Sequence, residues 1–301
     1  MRVPFAQGFP LDRWSNSVHC MLQKKKQPFI NKLRIIQLFE ADFNSALKYV
    51  LGRKLLYYSE EQSLNSTQTH GSRPGRSTHD ALKINTLSYD IARLERIKMI
   101  TLFNDATGCY DRMRHNLTTI TTRRMGCPKE FALCHARVQN QMKHYIKTKA
   151  GVSPAFFQAS PSLNIGGLGQ GNGGGPISWH CHMEPLLEAY SKDNPGFSFT
   201  DPTGMLCFLQ WIVGFVDDNS LNITFREGQT VQEALQQAQT ALFSWKKLLQ
   251  ITGGDLALEK CVYSFMGWVL AKGGETLGSI SDFPGTIEML SKSGDPTVIK
   301  L

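Results

Sequence analysis

Across residues 42–56 the apolar side chains Ala46, Leu47, Val50, Leu51 and Leu55 fall at the spacing that lines one face of a helix. Ser77, with Asp80 three residues on, is a capping-box pattern that opens a second helix, whose expected inner face is Ile84, Leu87, Ile91 and Leu94. Between these helices residues 65–76 are rich in Ser, Thr, Gly and Arg, and Pro74-Gly75 marks a turn in this basic loop. The short apolar run 99–103, closed by Asn104-Asp105, predicts a buried strand with a carboxylate at its mouth. A helix is expected over 129–145, burying Phe131, Cys134, Val138 and Met142. A glycine-rich run then leads to Pro176, well placed to open a helix. Residues 211–216 read as one strand and 221–225 as another, alternating Leu221, Ile223 and Phe225 against Asn222 and Thr224, with 217–220 as their turn. A helix over 231–249 leads through Gly253-Gly254 to Lys260, a strand-like run over 261–270 and a polar, glycine-rich tail from Ala271.

A chain of 301 residues that is 41% hydrophobic can bury a sizeable core, as one large domain or two ordinary ones. Its most apolar stretch, 204–216, is shorter than the ~18 residues a membrane helix needs and is interrupted by Gln210. The N-terminus has no apolar signal core, so the expectation is a soluble, intracellular protein, with the nucleus one plausible address. Seven cysteines without a C-x-x-C pair read as reduced thiols rather than a disulfide frame or structural zinc site. Charge changes the picture most. Residues 1–150 hold 25 basic and 11 acidic side chains, whereas 151–301 hold 8 and 14. A basic half of this kind grips a polyanion, nucleic acid or nucleotide first, although a solvated basic surface would have the same composition.

The sharper signal is acidic. Asp217 and Asp218 stand side by side after the apolar run 211–216, and unit charges ~4 Å apart repel by about 4 kcal/mol at an effective dielectric of about 20. Turns favour Asp for local hydrogen bonding, but this preceding run is too apolar for an exposed hairpin, so the pair is expected at a fixed place above a buried sheet. Fixed carboxylates suit a hard divalent cation, Mg2+ with Mn2+ as the alternative, and a two-ion site needs a third acid, for which Asp105 is the one other carboxylate after so apolar a run. Two competing motifs are weaker. Gly169-x-Gly171-x-x-Gly174 satisfies a dinucleotide fingerprint without the surrounding strand, helix and strand, and no Gly-Lys-Ser/Thr follows it. His180-Cys181-His182 cannot converge on one ion from a helix, where successive residues diverge by about 100°.

These blocks, in this order, resemble reverse transcriptases, particularly those of non-LTR retrotransposons and group II introns. The resemblance runs over about residues 30–268 and rests on six segments. They are Lys32-Leu-Arg34-Ile-Ile-Gln-Leu38, the loop Gln68-x-x-Gly71-Ser-Arg73-Pro-Gly-Arg76, the acid block Asp105 to Tyr110-Asp111, Gln170-Gly171 with Pro176 beyond, Phe215-Val216-Asp217-Asp218, and Gly253-Gly254 with Lys260. The chain departs from the family pattern at Ile35-Ile36, at Ser72 in place of Phe, and at Gly174-Gly175 before Pro176.

The resemblance implies an α/β (α+β) right-hand polymerase fold: fingers from 1–98 with a helical insertion over 121–160, a palm from 99–120 and 161–270 with an antiparallel sheet backed by helices, and a thumb largely missing beyond 271. It implies RNA-directed DNA synthesis on an RNA template from a DNA or RNA primer with deoxynucleoside triphosphates. Asp105, Asp217 and Asp218 would bind two Mg2+ ions, Tyr110 would exclude a 2′-hydroxyl, and Gln170 and Gly171 would approach nucleotide and template. Arg34, helped by Lys24, Lys25 and Lys26, would hold the triphosphate. Arg73 and Arg76 would contact the template backbone, and Lys260 would protonate departing pyrophosphate. An RNA-dependent RNA polymerase and an inactive retroelement remnant that only binds nucleic acid are the alternative expectations. No endonuclease, RNase H or Cys-His knuckle pattern is visible, and nothing in the sequence sets the oligomeric state.

Overall fold

The computed structural model describes residues 2–23, 33–160, 165–194, 196–225, 228–291 and 295–300. Lys24, Lys25, Lys26 and Lys32 therefore lie outside the described residues. The chain folds into two compact units, Met1–Asn65 with Gly108–Met183 and Ser66–Thr107 with Glu184–Leu301.

In the first unit a four-stranded sheet has the order Leu33–Phe39, Asn16–Gln23, Lys143–Thr148, Gly151–Gln158. The central pair runs parallel and the outer pairs antiparallel. The helices Ala41–Tyr49, His115–Arg124 and Lys129–Asn140 belong to the same unit. Its core gathers Trp14, Phe43, Leu47 and Leu51 with Phe131, Cys134 and Val138, so the helical spacing read in 42–56 and 129–138 marks buried faces. The expected helix over 129–145 ends at Asn140, because Tyr145 and Ile146 sit in a strand paired with Val18 and His19. Their aromatic and β-branched side chains suit that pleated surface better than a helix.

In the second unit the sheet order is Val262–Met266, Met99–Asp105, Asp218–Thr224, Ile212–Phe215, antiparallel throughout. Residues 219–223 are all buried, which requires cover on both faces, and the helices Thr78–Leu94 and Val231–Ile251 both contact this sheet. Each helix opens on a capping box, Ser77 with Asp80 and Thr230 with Glu233. The inner face of Thr78–Leu94 differs from the expected one. Ala81, Ser88 and Ala92 are buried while Leu87 and Leu94 are 45% and 76% exposed, a rotation of about 100°. Small side chains let the helix lie close to the strands, and Ser88 Oγ reaches Gln210 Oε1.

One further sequence expectation is corrected. The strand expected from 221 begins at Asp218, so the 217–220 turn shrinks to the two residues between Phe215 and Asp218. Within the polar tail beyond 271, Ile287–Leu290 pairs with Pro296–Ile299, and Ile287, Met289 and Ile299 are buried, with the first of these strands against the helix Val231–Ile251. Alternation hides these apolar positions among exposed ones, so average polarity misleads.

Candidate active site

The antiparallel register of Met99–Asp105 and Asp218–Thr224 sets Asp105 directly opposite Asp218. Carboxylates at such opposed positions are ordinarily about 5 Å apart at Cβ, a destabilising pairing of like charges. Asp217 occupies the hairpin turn beside them. That turn is strained: Val216, a β-branched residue, has φ +58°, a conformation such side chains rarely adopt. Several bonds hold it. Ala106 N donates to Asp217 O at 3.2 Å and Asn219 Nδ2 donates to the same oxygen at 3.1 Å. On the other side, Gly214 N donates to Gln68 O at 2.9 Å and His70 N donates to Gly214 O at 2.8 Å, so the 66–71 loop runs along the strand that leads into the turn. A Cβ on Gly71 would fall 2.4 Å from Val216 N, so glycine is required for this approach.

Glu184, 6% exposed, anchors that loop by accepting from Ser66 N at 2.8 Å and Thr69 Oγ1 at 3.2 Å. Arg73 belongs to the same scaffold. It is 7% exposed, and its Nη1 donates to Thr69 O at 2.9 Å and to Ser66 O. The guanidinium expected at the template backbone thus bonds carbonyls of its own loop, whereas Arg76 is exposed.

Lys260 enters from the segment after the helix Val231–Ile251. Thr107 N donates to Asp255 O at 2.8 Å and Ala257 N to Asp105 O at 2.9 Å, and these bonds bring the short turn Leu258–Lys260 to the end of the acid-bearing strand. Lys260 Nζ donates to Asp105 Oδ2. That bond, with the nearby carboxylates, holds the ammonium above its ordinary pKa. Burial first, then the Asp217 and Asp105 charges, raise the Asp218 carboxyl above its ordinary value, with Lys260 opposing. Asp105, Asp218 and Lys260 share a groove of about 400 Å3 with Phe103, Phe215 and Ser220.

Among the described residues no group of three or more His, Cys, Asp and Glu side chains is set to hold a metal ion unaided. The donor chemistry nevertheless fits a hard cation. Mg2+ binds through one or two carboxylates plus substrate phosphates and water rather than in an all-protein cage, and a cation would neutralise the Asp217 and Asp105 charges that, after burial, raise the Asp218 carboxyl.

Tyr110, Gln170, Gly171 and Arg34 belong to the first unit. Leu168 N donates to Tyr110 O at 2.8 Å, Gln170 Nε2 donates to Asp111 Oδ2 at 3.2 Å, and Gln37 N donates to Gln170 O at 2.7 Å. Burial raises the Asp111 carboxyl, and the Gln170 bond opposes the shift. The glycine run lies close to backbone on both flanks: a Cβ on Gly171 (φ +116°) would fall 2.4 Å from Gln37 O, and one on Gly167 2.5 Å from Asp111 O. Arg34 is exposed on the strand that carries Gln37. Sequence reasoning gave no role to Gln37, Gly71, Asp111 or Glu184. A buried Gln or Glu carries no signal of its own, though Gln37, Gly71 and Asp111 lay inside recognised blocks. His180, Cys181 and His182 are all buried in the helix Gly175–Asp193.

The second unit thus sets three acids and a lysine at one end of an antiparallel sheet that two helices contact. Residues 22–277 match the family described as reverse transcriptase (RNA-dependent DNA polymerase). The chain belongs to that family. Similar solved structures include telomerase from Candida albicans in complex with a TWJ fragment of telomeric RNA, with TM-score 0.55 and 14% identity over 84% of this chain and 42% of that chain. The corresponding complex from Candida tropicalis gives TM-score 0.56 at 13% identity over 85% and 41%. Apo telomerase from Candida tropicalis gives 0.54 at 14% over 88% and 47%. The chain thus spans less than half the length of these structures. No curated protein matches it. Among the described residues no helix is long and apolar enough to cross a membrane.

Proposed function

We propose that the chain itself is an active RNA-directed DNA polymerase, adding deoxynucleotides to a primer 3′-hydroxyl on an RNA template. The observation that carries this reading is the in-register opposition of Asp105 and Asp218 beside the strained Val216-Asp217 turn, with Lys260 on Asp105. Such an arrangement is costly to fold and explained by chemistry that needs convergent oxygen donors. Asp105, Asp217 and Asp218 would hold Mg2+, two ions in the full reading, which would neutralise charge on the triphosphate and on the attacking hydroxyl. The hydroxyl oxygen, losing its proton to water, forms a bond to the α-phosphorus as the bond to the bridging oxygen of pyrophosphate breaks. Lys260, an ammonium bonded to Asp105, would give that leaving oxygen a proton.

In this reading Tyr110 excludes a ribose 2′-hydroxyl by steric repulsion, Gln170 and Gly171 border the nucleotide, Arg34 engages phosphate and Arg76 the template backbone. Fingers would come from 1–98 and 121–160 and palm from 99–120 and 161–270. A retroelement origin and an intracellular site of action belong to the same proposal. The neighbours are telomerases, and at 13–14% identity they speak to fold alone. Primer extension on an RNA template with Mg2+ and deoxynucleotides tests the reading. The wild-type chain should extend and Asp217→Asn should not. Extension by the variant at the wild-type rate, or binding without extension by the wild type, would overturn it, the latter in favour of a nucleic-acid-binding remnant.

A further inference from the structure

The first unit carries a separate concavity of about 640 Å3, walled by side chains between Tyr49 and Tyr58, by Glu61, and by Gly126 and Pro128. Its long wall is unusual, because Val50–Leu55 is wound as a π-helix. Hydrogen bonds from i to i+5 bring residues five apart towards one face, whereas on an α-helix they diverge by about 140°. Lys54 accordingly sits over the Tyr49 ring, its Nζ 5.6 Å from the centroid. Leu51, Leu55 and Leu56 turn into the core while Arg53, Lys54, Tyr57 and Tyr58 are left outside. Tyr49, Tyr57 and Tyr58 are 52%, 55% and 47% exposed. Gly126 shapes the opposite wall: at φ +101°, a Cβ there would fall 2.5 Å from Tyr58 Cε1, so only glycine lets the ring lie against this turn.

Three exposed aromatic rings interleaved with a guanidinium and an ammonium suit a ligand with stackable faces and regular negative charge. The surroundings point the same way. The first unit holds 19 basic and 7 acidic side chains, a formal +12, and Glu61 is the one acid in the groove wall. A proline-rich peptide also docks in aromatic grooves, but it offers these cations no anionic partner. We infer that this groove binds a single strand of nucleic acid, with bases stacked on Tyr49, Tyr57 and Tyr58 and phosphates on Arg53 and Lys54. The inference rests on the polymerase reading only for where such a strand comes from, and the groove shares no residue with the one around Asp105.

The test uses the full chain with a short fluorescent oligouridylate carrying 5-iodouracil, and its deoxy counterpart, to separate RNA from DNA as the occupant. Irradiation should join either strand to the peptide bearing Tyr49, Tyr57 and Tyr58. Anisotropy should show Tyr57→Ala weakening binding by roughly five- to 150-fold, the range expected for one lost stacking contact. Tyr57→Phe should retain affinity, and Arg53→Gln should lower the slope of log affinity against log salt by about one. Tyr57 is solvent-facing, so its truncation leaves the core intact, and thermal unfolding verifies this. Crosslinks confined to other peptides, wild-type affinity in Tyr57→Ala, or displacement of the strand by a proline-rich peptide would each overturn the inference. Primer extension read in parallel separates the two readings: extension without groove crosslinks removes only the groove, and crosslinks without extension remove only the polymerase.

Discussion

Gly71→Ala tests whether the 66–71 loop sets the position of the acid turn. The added Cβ would lie 2.4 Å from Val216 N and 2.8 Å from Val216 Cγ2, where ordinary contact begins at 3.4 Å, so loop and turn must part by about 1 Å. Backbone faces the new methyl group, and no side-chain rotation can absorb it. Overpacking of this kind costs about 1–3 kcal/mol. A misplacement of about 1 Å at a reacting centre can cost on the order of 100-fold in rate, so the catalytic loss should exceed what the fraction unfolded explains. Thermal unfolding gives the first quantity, and single-nucleotide extension on saturating template-primer, well below the melting temperature, gives the second. Gly273→Ala is the control, since a Cβ there meets nothing within 4 Å. Wild-type kcat in a folded Gly71→Ala protein would refute the claim that this loop positions Asp217.

The other predictions address charge and selectivity. Asp218→Asn should abolish extension yet raise stability at neutral pH, by no more than about 1 kcal/mol after solvent screening of a partly exposed group. Because the folded-state pKa is raised, the penalty of the ionised carboxyl exists above that pKa and vanishes below its ordinary 3.8, so the gain should disappear in acid; a gain that persists there would contradict the assignment. Arg73→Met should destabilise the fold by about 1.5–3 kcal/mol, since two backbone carbonyls lose a charged donor. Its salt dependence of RNA binding should stay unchanged, whereas Arg76→Ala should reduce that slope by about one, and the reverse pattern would exchange the two roles. Tyr110→Ala should increase ribonucleotide incorporation relative to deoxyribonucleotide, and unaltered sugar preference would remove Tyr110 from the nucleotide site.

The elements legible in the sequence were those whose local chemistry and packing agree. The apolar run ending at Asp105 is a buried strand, Ser77 opens a helix, and the acid pair lies on a hairpin above a covered sheet. What the sequence concealed depends on partners distant along the chain. Ala81, Ser88 and Ala92 face inward because the helix lies close to strands that admit only small side chains, a preference invisible in a stripe of larger apolar residues at Ile84 and Leu87. The strand Lys143–Thr148 continues the apparent periodicity of the preceding helix, and only its pairing with Asn16–Gln23 decides its conformation. At the site, the acids and Lys260 were readable as chemistry. The residues that position them, Gly71 and Glu184, act through a close backbone approach and a buried carboxylate that accepts from its neighbours, and such roles appear only once the loop is folded.

Unequal charge in the two units has a consequence for ion capture. The unit that carries Asp105, Asp217 and Asp218 holds 14 basic and 18 acidic side chains, a formal −4, while the cations are concentrated in the other. A surplus of anions around a low-dielectric groove enriches small divalent counter-ions near its mouth, and added monovalent salt erodes that enrichment. Half-saturation of primer extension by added Mg2+ should therefore drift upward with ionic strength even where the strand itself is fully engaged.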